Sequence, residues 1–191
     1  PNLYIEAYTN VSKYRLLSML DKVDPVDRTA GTSPKFVQSL INLSNINDSI
    51  LEIGCGRGYT CLELAPHVKE IYGTDANPLA LKESTSFISK YNLDNCYFLN
   101  LIGDQIPRYF LEKRFDKIIS IDTFEHLHIE DAEEHLEQVY NLLKPGGSYI
   151  IKVPNIITGP HDVTKLIYPS SKRALGFHLN ETTFSYLSKK L

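Results

Sequence analysis

Ser49-Ile50-Leu51-Glu52-Ile53-Gly54-Cys55-Gly56-Arg57-Gly58 is the stretch whose reading decides the fold of this chain. Ile50, Leu51 and Ile53 form a short apolar run with the length of a buried strand. The run opens into three glycines at alternate positions, and Thr60 to Ala65 continue as helix. A strand, a glycine turn and a helix in that order bring backbone N–H groups and a helix N-terminus to one point. A ligand carboxylate can approach there closely. Glycine is needed because a Cβ would block that approach or forbid a positive φ.

Two features separate the turn from a dinucleotide fingerprint. Tyr59 stands where the G-x-G-x-x-G/A pattern requires a small residue, and Glu52 places an acid inside the strand. A glycine triplet alone also serves an ordinary tight turn, so the reading depends on the residues at the ends of the later strands.

Composition narrows the class. The 191 residues are 42% hydrophobic and 23% charged, as in an ordinary globular domain. A net charge of −3 and a pI near 6.1 give no electrostatic footprint for nucleic acid or an anionic membrane surface. No apolar run reaches the roughly 18–20 residues of a membrane span, and no signal peptide is evident. The first residue is Pro1, so the native N-terminus and any targeting signal are expected outside this sequence. Cys55, Cys61 and Cys96 are odd in number and lack C-x-x-C spacing, which argues against a disulfide scaffold or a structural zinc site. Cys55, between two of the glycines, and Cys61, on the helix that follows, read as small packing residues, and a reducing, cytoplasmic setting is expected.

Leu3, Ala7, Val11, Tyr14, Leu17 and Leu20 have helical spacing, and residues 24–34 read as a loop. Ser33-Pro34 fits the N-cap and first turn of a helix over about 35–43. From Ser49 the chain alternates strand and helix. Strands are expected over about 49–53, 69–74, 95–101, 115–121 and 148–153, and helices over about 59–66, 78–91 and 130–143. Lys144-Pro145-Gly146-Gly147 is expected to stop the last of these helices, and a final helix is expected from about Glu181 to Leu191. Such alternation requires crossovers and a parallel sheet covered on both faces.

Three further segments stand at strand ends. Ile71-Tyr72-Gly73-Thr74-Asp75 ends strand 2 in an acid about twenty residues after the glycine loop. Asp75 could cap the helix near Pro78, a task Asn77 performs equally well. Leu101-Ile102-Gly103-Asp104 comes after strand 3, and Ile121-Asp122-Thr123-Phe124-Glu125-His126-Leu127 ends strand 4. Gly103-Asp104 also suits a plain surface turn, and Glu125 and His126 could simply cap the next helix.

Taken in order, these segments resemble the class I, Rossmann-like S-adenosylmethionine (SAM)-dependent methyltransferases over about residues 35–155. The strand-4 segment resembles the subgroup acting on small molecules and lipids. The resemblance implies SAM as cofactor, released as S-adenosylhomocysteine. Glu52, Gly54, Cys55, Gly56 and Gly58 would then lie at its methionine end, lined also by Asp122 and Thr123. Asp75 would take the ribose hydroxyls, with Ala76 and Asn77 beside the adenine. Asp104, with neighbouring Gln105, would take the adenine amino group. His126 would face the reaction chamber as base toward an acceptor hydroxyl.

The tail is the most individual part. Thr158-Gly159-Pro160-His161-Asp162 and Gly176-Phe177-His178-Leu179-Asn180-Glu181 loosely resemble elements of bacterial methyltransferases encoded near glycan and secondary-metabolite genes. His161 is a second candidate base. His161 and His178 could pair with Asp162 or Glu181 around a substrate hydroxyl or a metal. Loop histidines are more often structural, so no metal ligands are assigned.

The expected protein is therefore a doubly wound α/β domain with a parallel sheet in the order 3-2-1-4-5, lacking the family's terminal antiparallel hairpin. It has an N-terminal helical cap (1–34), a SAM-binding core (35–155) and a substrate-side loop and helix (156–191). The expected partner is a small-molecule acceptor with an O, N or C nucleophile, of glycan or lipid type among others, with no nucleic acid and no membrane span. The alternatives are a non-catalytic methyltransferase-like domain that binds SAM or a partner and, against Tyr59, Glu52 and the Asp122–His126 segment, a nicotinamide-dependent oxidoreductase.

Overall fold

The structure is a computed structural model that describes residues 33–191. The helices expected within 3–22 and most of the loop over 24–34 lie outside those residues. The chain divides after Ile102 into two compact units. Its five strands form one parallel sheet in the order 3-2-1-4-5, as expected.

In the first unit, helix α1 (Pro34–Leu43) begins where sequence placed it, because the Ser33 side chain accepts from the Phe36 N–H and Pro34 has no donor to satisfy. Val37 and Leu40 are its buried face. Strand β1 (Ser49–Ile53) is buried at all five positions, which is why it reads as a continuous apolar run rather than an alternating one. It pairs in parallel with β2 (Glu70–Thr74), and β2 pairs with β3 (Cys96–Leu99). Helix α2 (Tyr59–Leu64) runs on through a 3-10 turn (Ala65–His67). Helix α3 (Pro78–Tyr91) is capped by Asn77, whose side chain accepts from Leu79 N and Ala80 N. Cys55, Cys61 and Cys96 are free and buried.

In the second unit, α4 (Gln105–Tyr109) precedes β4 (Phe115–Ile121), which pairs in parallel with β5 (Leu143–Lys152). Between them lie a 3-10 turn (Phe124–His126) and α5 (Ile129–Leu142). One boundary here differs clearly from expectation. Strand β5 begins at Leu143 rather than Ser148: Leu143 pairs with Phe115, the ladder shifts register, and regular pairing resumes at Ser148. Lys144-Pro145-Gly146-Gly147 therefore forms an irregular stretch inside a strand that has already begun, with Gly146 at a φ of +78°.

The tail contains a one-turn helix α6 (Thr164–Ile167), not foreseen, and α7 (Phe184–Lys190), which starts later than expected. The delay has a cause. Asn180, Glu181 and Thr182 are buried before the helix begins, and Thr183 is the cap, accepting from Tyr186 N. Beyond β5 the described residues add only an isolated parallel bridge, Asn155 to Thr182, and no hairpin. Leu187 of α7 packs with Phe124 and Ala132, joined by Leu136, Ile151 and Val153, so the tail helix belongs to the core of this unit. No helix among the described residues is long and apolar enough to cross a membrane.

Candidate functional site

The glycine loop hangs from the end of β2. Gly54 N and Cys55 N both donate to the Thr74 carbonyl, at 2.8 and 2.9 Å, and Gly58 N closes the turn on Cys55 O at 2.8 Å. Gly54, Gly56 and Gly58 have φ of +76°, +54° and +71°, so the turn requires the left-handed region. Gly58 has a second reason to be glycine, since a Cβ there would collide with the Phe98 ring. Gly56 is different: among the described residues a Cβ would meet nothing within 4 Å, so the apex of the loop has room beside it.

Asp75 fastens this loop. Its Oδ2 accepts from Gly56 N and its Oδ1 from Asn77 N, both at 2.7 Å. Asn77, not Asp75, caps α3. Burial raises the Asp75 carboxyl above its ordinary range, and the two N–H donors oppose that rise. Each oxygen has one donor and keeps acceptor capacity, as a carboxylate offers about four sites. Glu52 lies beneath, 3% exposed, with Oε2 accepting from the Cys61 thiol at 2.9 Å. Burial pushes its carboxyl up to about 7. Ala76 links Asp75 to the α3 cap. The first unit thus brings together eight of the expected residues, Glu52, Gly54, Cys55, Gly56, Gly58, Asp75, Ala76 and Asn77.

The other expected residues lie in the second unit. Asp104 precedes α4 and pairs with Arg108 at 2.7 Å, and Gln105 is the first residue of that helix. Asp122 comes directly after β4 at a φ of +49°, which is rare outside glycine. Lys152 holds it there: Asp122 N donates to Lys152 O at 2.9 Å, and Lys152 Nζ reaches the Asp122 carboxylate at 2.6 Å. The Thr123 hydroxyl donates to Ile121 O at 3.1 Å.

His126 sits in a cluster that sequence spacing could not reveal. Leu179 N and Asn180 N donate to the Glu125 carbonyl at 2.8 and 2.9 Å, zipping the 3-10 turn to the tail. His126 Nδ1 donates to Phe177 O at 3.0 Å. The His126 and His178 rings meet edge to face, 4.9 Å apart. Burial lowers the His126 pKa, which favours the neutral ring. His178 Nδ1 meets Glu181 Oε1 at 2.7 Å, and the same oxygen accepts from His161 N at 2.7 Å. His161 belongs to the edge of this cluster, its Nε2 lying 3.0 Å from the Thr158 hydroxyl and 3.1 Å from Asn155 O. Of the pairings open to the tail histidines, the structure makes that of His178 with Glu181, while the backbone contacts of Glu125 with the tail are the part sequence did not offer. The one available hint was the density of histidine and acid in the tail.

A five-stranded parallel sheet in this order, with a glycine loop tied to an acid at the tip of the next strand, defines a Rossmann-like cofactor-binding fold. The methyltransferase-domain family model matches residues 50–147, and the chain belongs to that family, within the class I SAM-dependent methyltransferases.

Among curated relatives, the chain is 27% identical over 135 residues to the 2-heptyl-1-hydroxyquinolin-4(1H)-one methyltransferase of Mycobacteroides abscessus, covering 68% of this chain and 59% of that protein. It is 29% identical over 102 residues to the uncharacterized methyltransferase YcgJ of Bacillus subtilis, covering 53% and 39%. The crystal structure of YcgJ shares the fold, with a TM-score of 0.64, 22% identity, and coverage of 81% of this chain and 64% of that one. A SAM-dependent methyltransferase from Clostridium acetobutylicum is similar at a TM-score of 0.58 and 19% identity, covering 83% and 61%. The chain therefore spans under two thirds of the length of these relatives.

Proposed function

We propose that the chain binds SAM and transfers its methyl group to an O, N or C nucleophile of a small molecule, a glycan or lipid acceptor included. The observation that carries this reading is the Asp75 carboxylate holding the loop apex through Gly56 N, with room beside Gly56 among the described residues. The residues fit the cofactor. Asp75 retains acceptor capacity for a ribose diol, Gly56 leaves room over the loop, and Glu52 supplies a buried acid beneath it. Asp104 and Gln105 are assigned to the adenine, and Asp122 and Thr123 to the methionine end.

When bound, SAM supplies a methyl group on a cationic sulfur. The protein's part is to orient the two reactants and exclude water. Asp75 and the loop fix one end of the cofactor, while residues 35–155 act as the binding core and 156–191 as the acceptor side. His126, whose pKa burial lowers, and His161 are the candidate bases toward an acceptor hydroxyl. The relative named for 2-heptyl-1-hydroxyquinolin-4(1H)-one favours a small-molecule acceptor.

Calorimetric titration with SAM, S-adenosylhomocysteine and NAD tests the reading. The two adenosyl ligands should bind and NAD should not. Asp75→Ala should weaken binding by about 1.5–3 kcal/mol, the loss of hydrogen bonds to a charged acceptor. Unchanged affinity in that variant would remove Asp75 from the site, and NAD binding in place of SAM would favour an oxidoreductase.

A further inference from the structure

We propose that Glu125, His126 and His178 form a binding site for one divalent first-row transition ion of the zinc type. One donor atom from each of the three lies within 4.8 Å of the other two. Around an ion about 2.1 Å from each ligand, donors stand about 3.0–3.5 Å apart, so a modest closing of side chains completes the site.

Three observations distinguish this cluster from a chance meeting of polar side chains. First, the ligand segments are held by backbone rather than by side chains alone. Glu125 O receives Leu179 N and Asn180 N, and His126 Nδ1 donates to Phe177 O, which fixes residues 125–126 against 177–180. Second, each imidazole has an outer partner on Nδ1. A carbonyl oxygen can only accept, so His126 carries its proton on Nδ1, and its neutral lone pair is on Nε2. The Glu181 carboxylate does the same for His178 at 2.7 Å. A carbonyl or carboxylate behind a ligating histidine is the arrangement that orients metal-binding imidazoles and makes them more basic. Third, Glu125 is 1% exposed, and its Oε2 has no hydrogen-bond partner among the described residues. A buried oxygen left in that state is costly, whether the carboxyl is ionised or protonated, and a cation satisfies it.

Two imidazoles and one carboxylate favour zinc, cobalt, nickel or iron over magnesium and calcium, which prefer all-oxygen shells. Three protein ligands leave at least one coordination position for water or another oxygen ligand. On the methyl-transfer reading, which the site itself does not require, that position suits an acceptor that binds through oxygen. His126 then acts as a ligand rather than as a base.

The test uses the full chain prepared without a histidine tag, titrated with ZnCl2 by calorimetry, with S-adenosylhomocysteine titrated in parallel. One zinc per chain is expected. His178→Ala and His126→Ala should each abolish it, and Glu181→Gln should weaken it about 10–100-fold by loosening the outer shell. Thermal melts of the variants report folding. Because the wild-type chain needs no substitution, Co2+ absorption gives a second measure: ligand-field bands of a nitrogen and oxygen site, without thiolate-to-cobalt charge transfer. Absence of zinc binding, binding that survives both histidine variants, or a thiolate band locating the metal on cysteine would each overturn the proposal. Normal S-adenosylhomocysteine binding beside absent zinc binding would sink the metal site and leave the methyl-transfer reading standing. Zinc binding without S-adenosylhomocysteine binding would do the reverse.

Discussion

Glu52 is an acid in the middle of the most deeply buried strand, and its surroundings set a measurable pH dependence. With its carboxyl pushed up to about 7 from an ordinary 4.5, the folded chain holds a proton that the unfolded chain has released across that interval. Stability from this group is complete below about pH 4.5 and is lost as the pH rises through 7. A shift of that size corresponds to about 3 kcal/mol. Glu125, also raised to about 7, acts in the same direction. His135, lowered to about 4 by burial, acts in the opposite one, since its contribution is present above pH 6.5 and lost on acidification. Glu52→Gln keeps an acceptor for the Cys61 thiol and removes the titration. Urea unfolding of the ligand-free variant should therefore show a stability that declines less between pH 4.5 and 7. An unchanged slope would mean Glu52 is ionised throughout. At this scale the meeting of the glycine loop with Asp75 was legible in sequence because Gly54 to Gly58 and Asp75 lie within one strand-helix-strand unit. The Glu125, His126 and His178 cluster was not, because the contacts joining it cross about fifty residues and are made by backbone atoms of a loop.

Among the elements, α7 has the most to lose from one substitution. Seven residues are too few for a helix to persist alone in water, so its formation depends on docking. Leu187, 5% exposed against Phe124 and Ala132, is the anchor. Leu187→Ala should cost about 2–5 kcal/mol, with faster amide exchange in 184–190. A loss near zero would show that the tail is held by the Glu125 backbone contacts alone. Strands β1 and β4 matched their expected bounds because each carries three closely spaced isoleucines or leucines that are buried, Ile50, Leu51 and Ile53 in β1 and Ile118, Ile119 and Ile121 in β4, and the caps of α1 and α3 were legible because Ser33-Pro34 and Asn77-Pro78 act locally. The start of β5 was hidden by Pro145-Gly146-Gly147, which reads as a terminator, whereas Leu143 had already paired with Phe115. The late start of α7 has a similar origin: Glu181 was open to pairing with His178, but nothing local announces that this contact buries it and leaves Thr183 as the cap.

For the molecule as a whole, the placement of its sulfur has a practical consequence. All three cysteines fall in the unit that ends at Ile102, and none in the unit from Gly103 onward. Two of the thiols press on Gly73, where an added Cβ would lie 2.9 Å from each sulfur, and all three are buried. A thiol reagent can reach them only when that half of the chain opens, so alkylation is a clock for one half alone. Under conditions where reclosing outpaces the reagent, S-adenosylhomocysteine at about a hundred times its Kd should slow that clock about a hundredfold. Mass spectrometry of timed alkylation would count the modified chains. Labelling at an unaltered rate with ligand present would mean that the ligand does not hold the first half closed. The three sulfurs thus give the protein an internal timer, readable without any introduced probe.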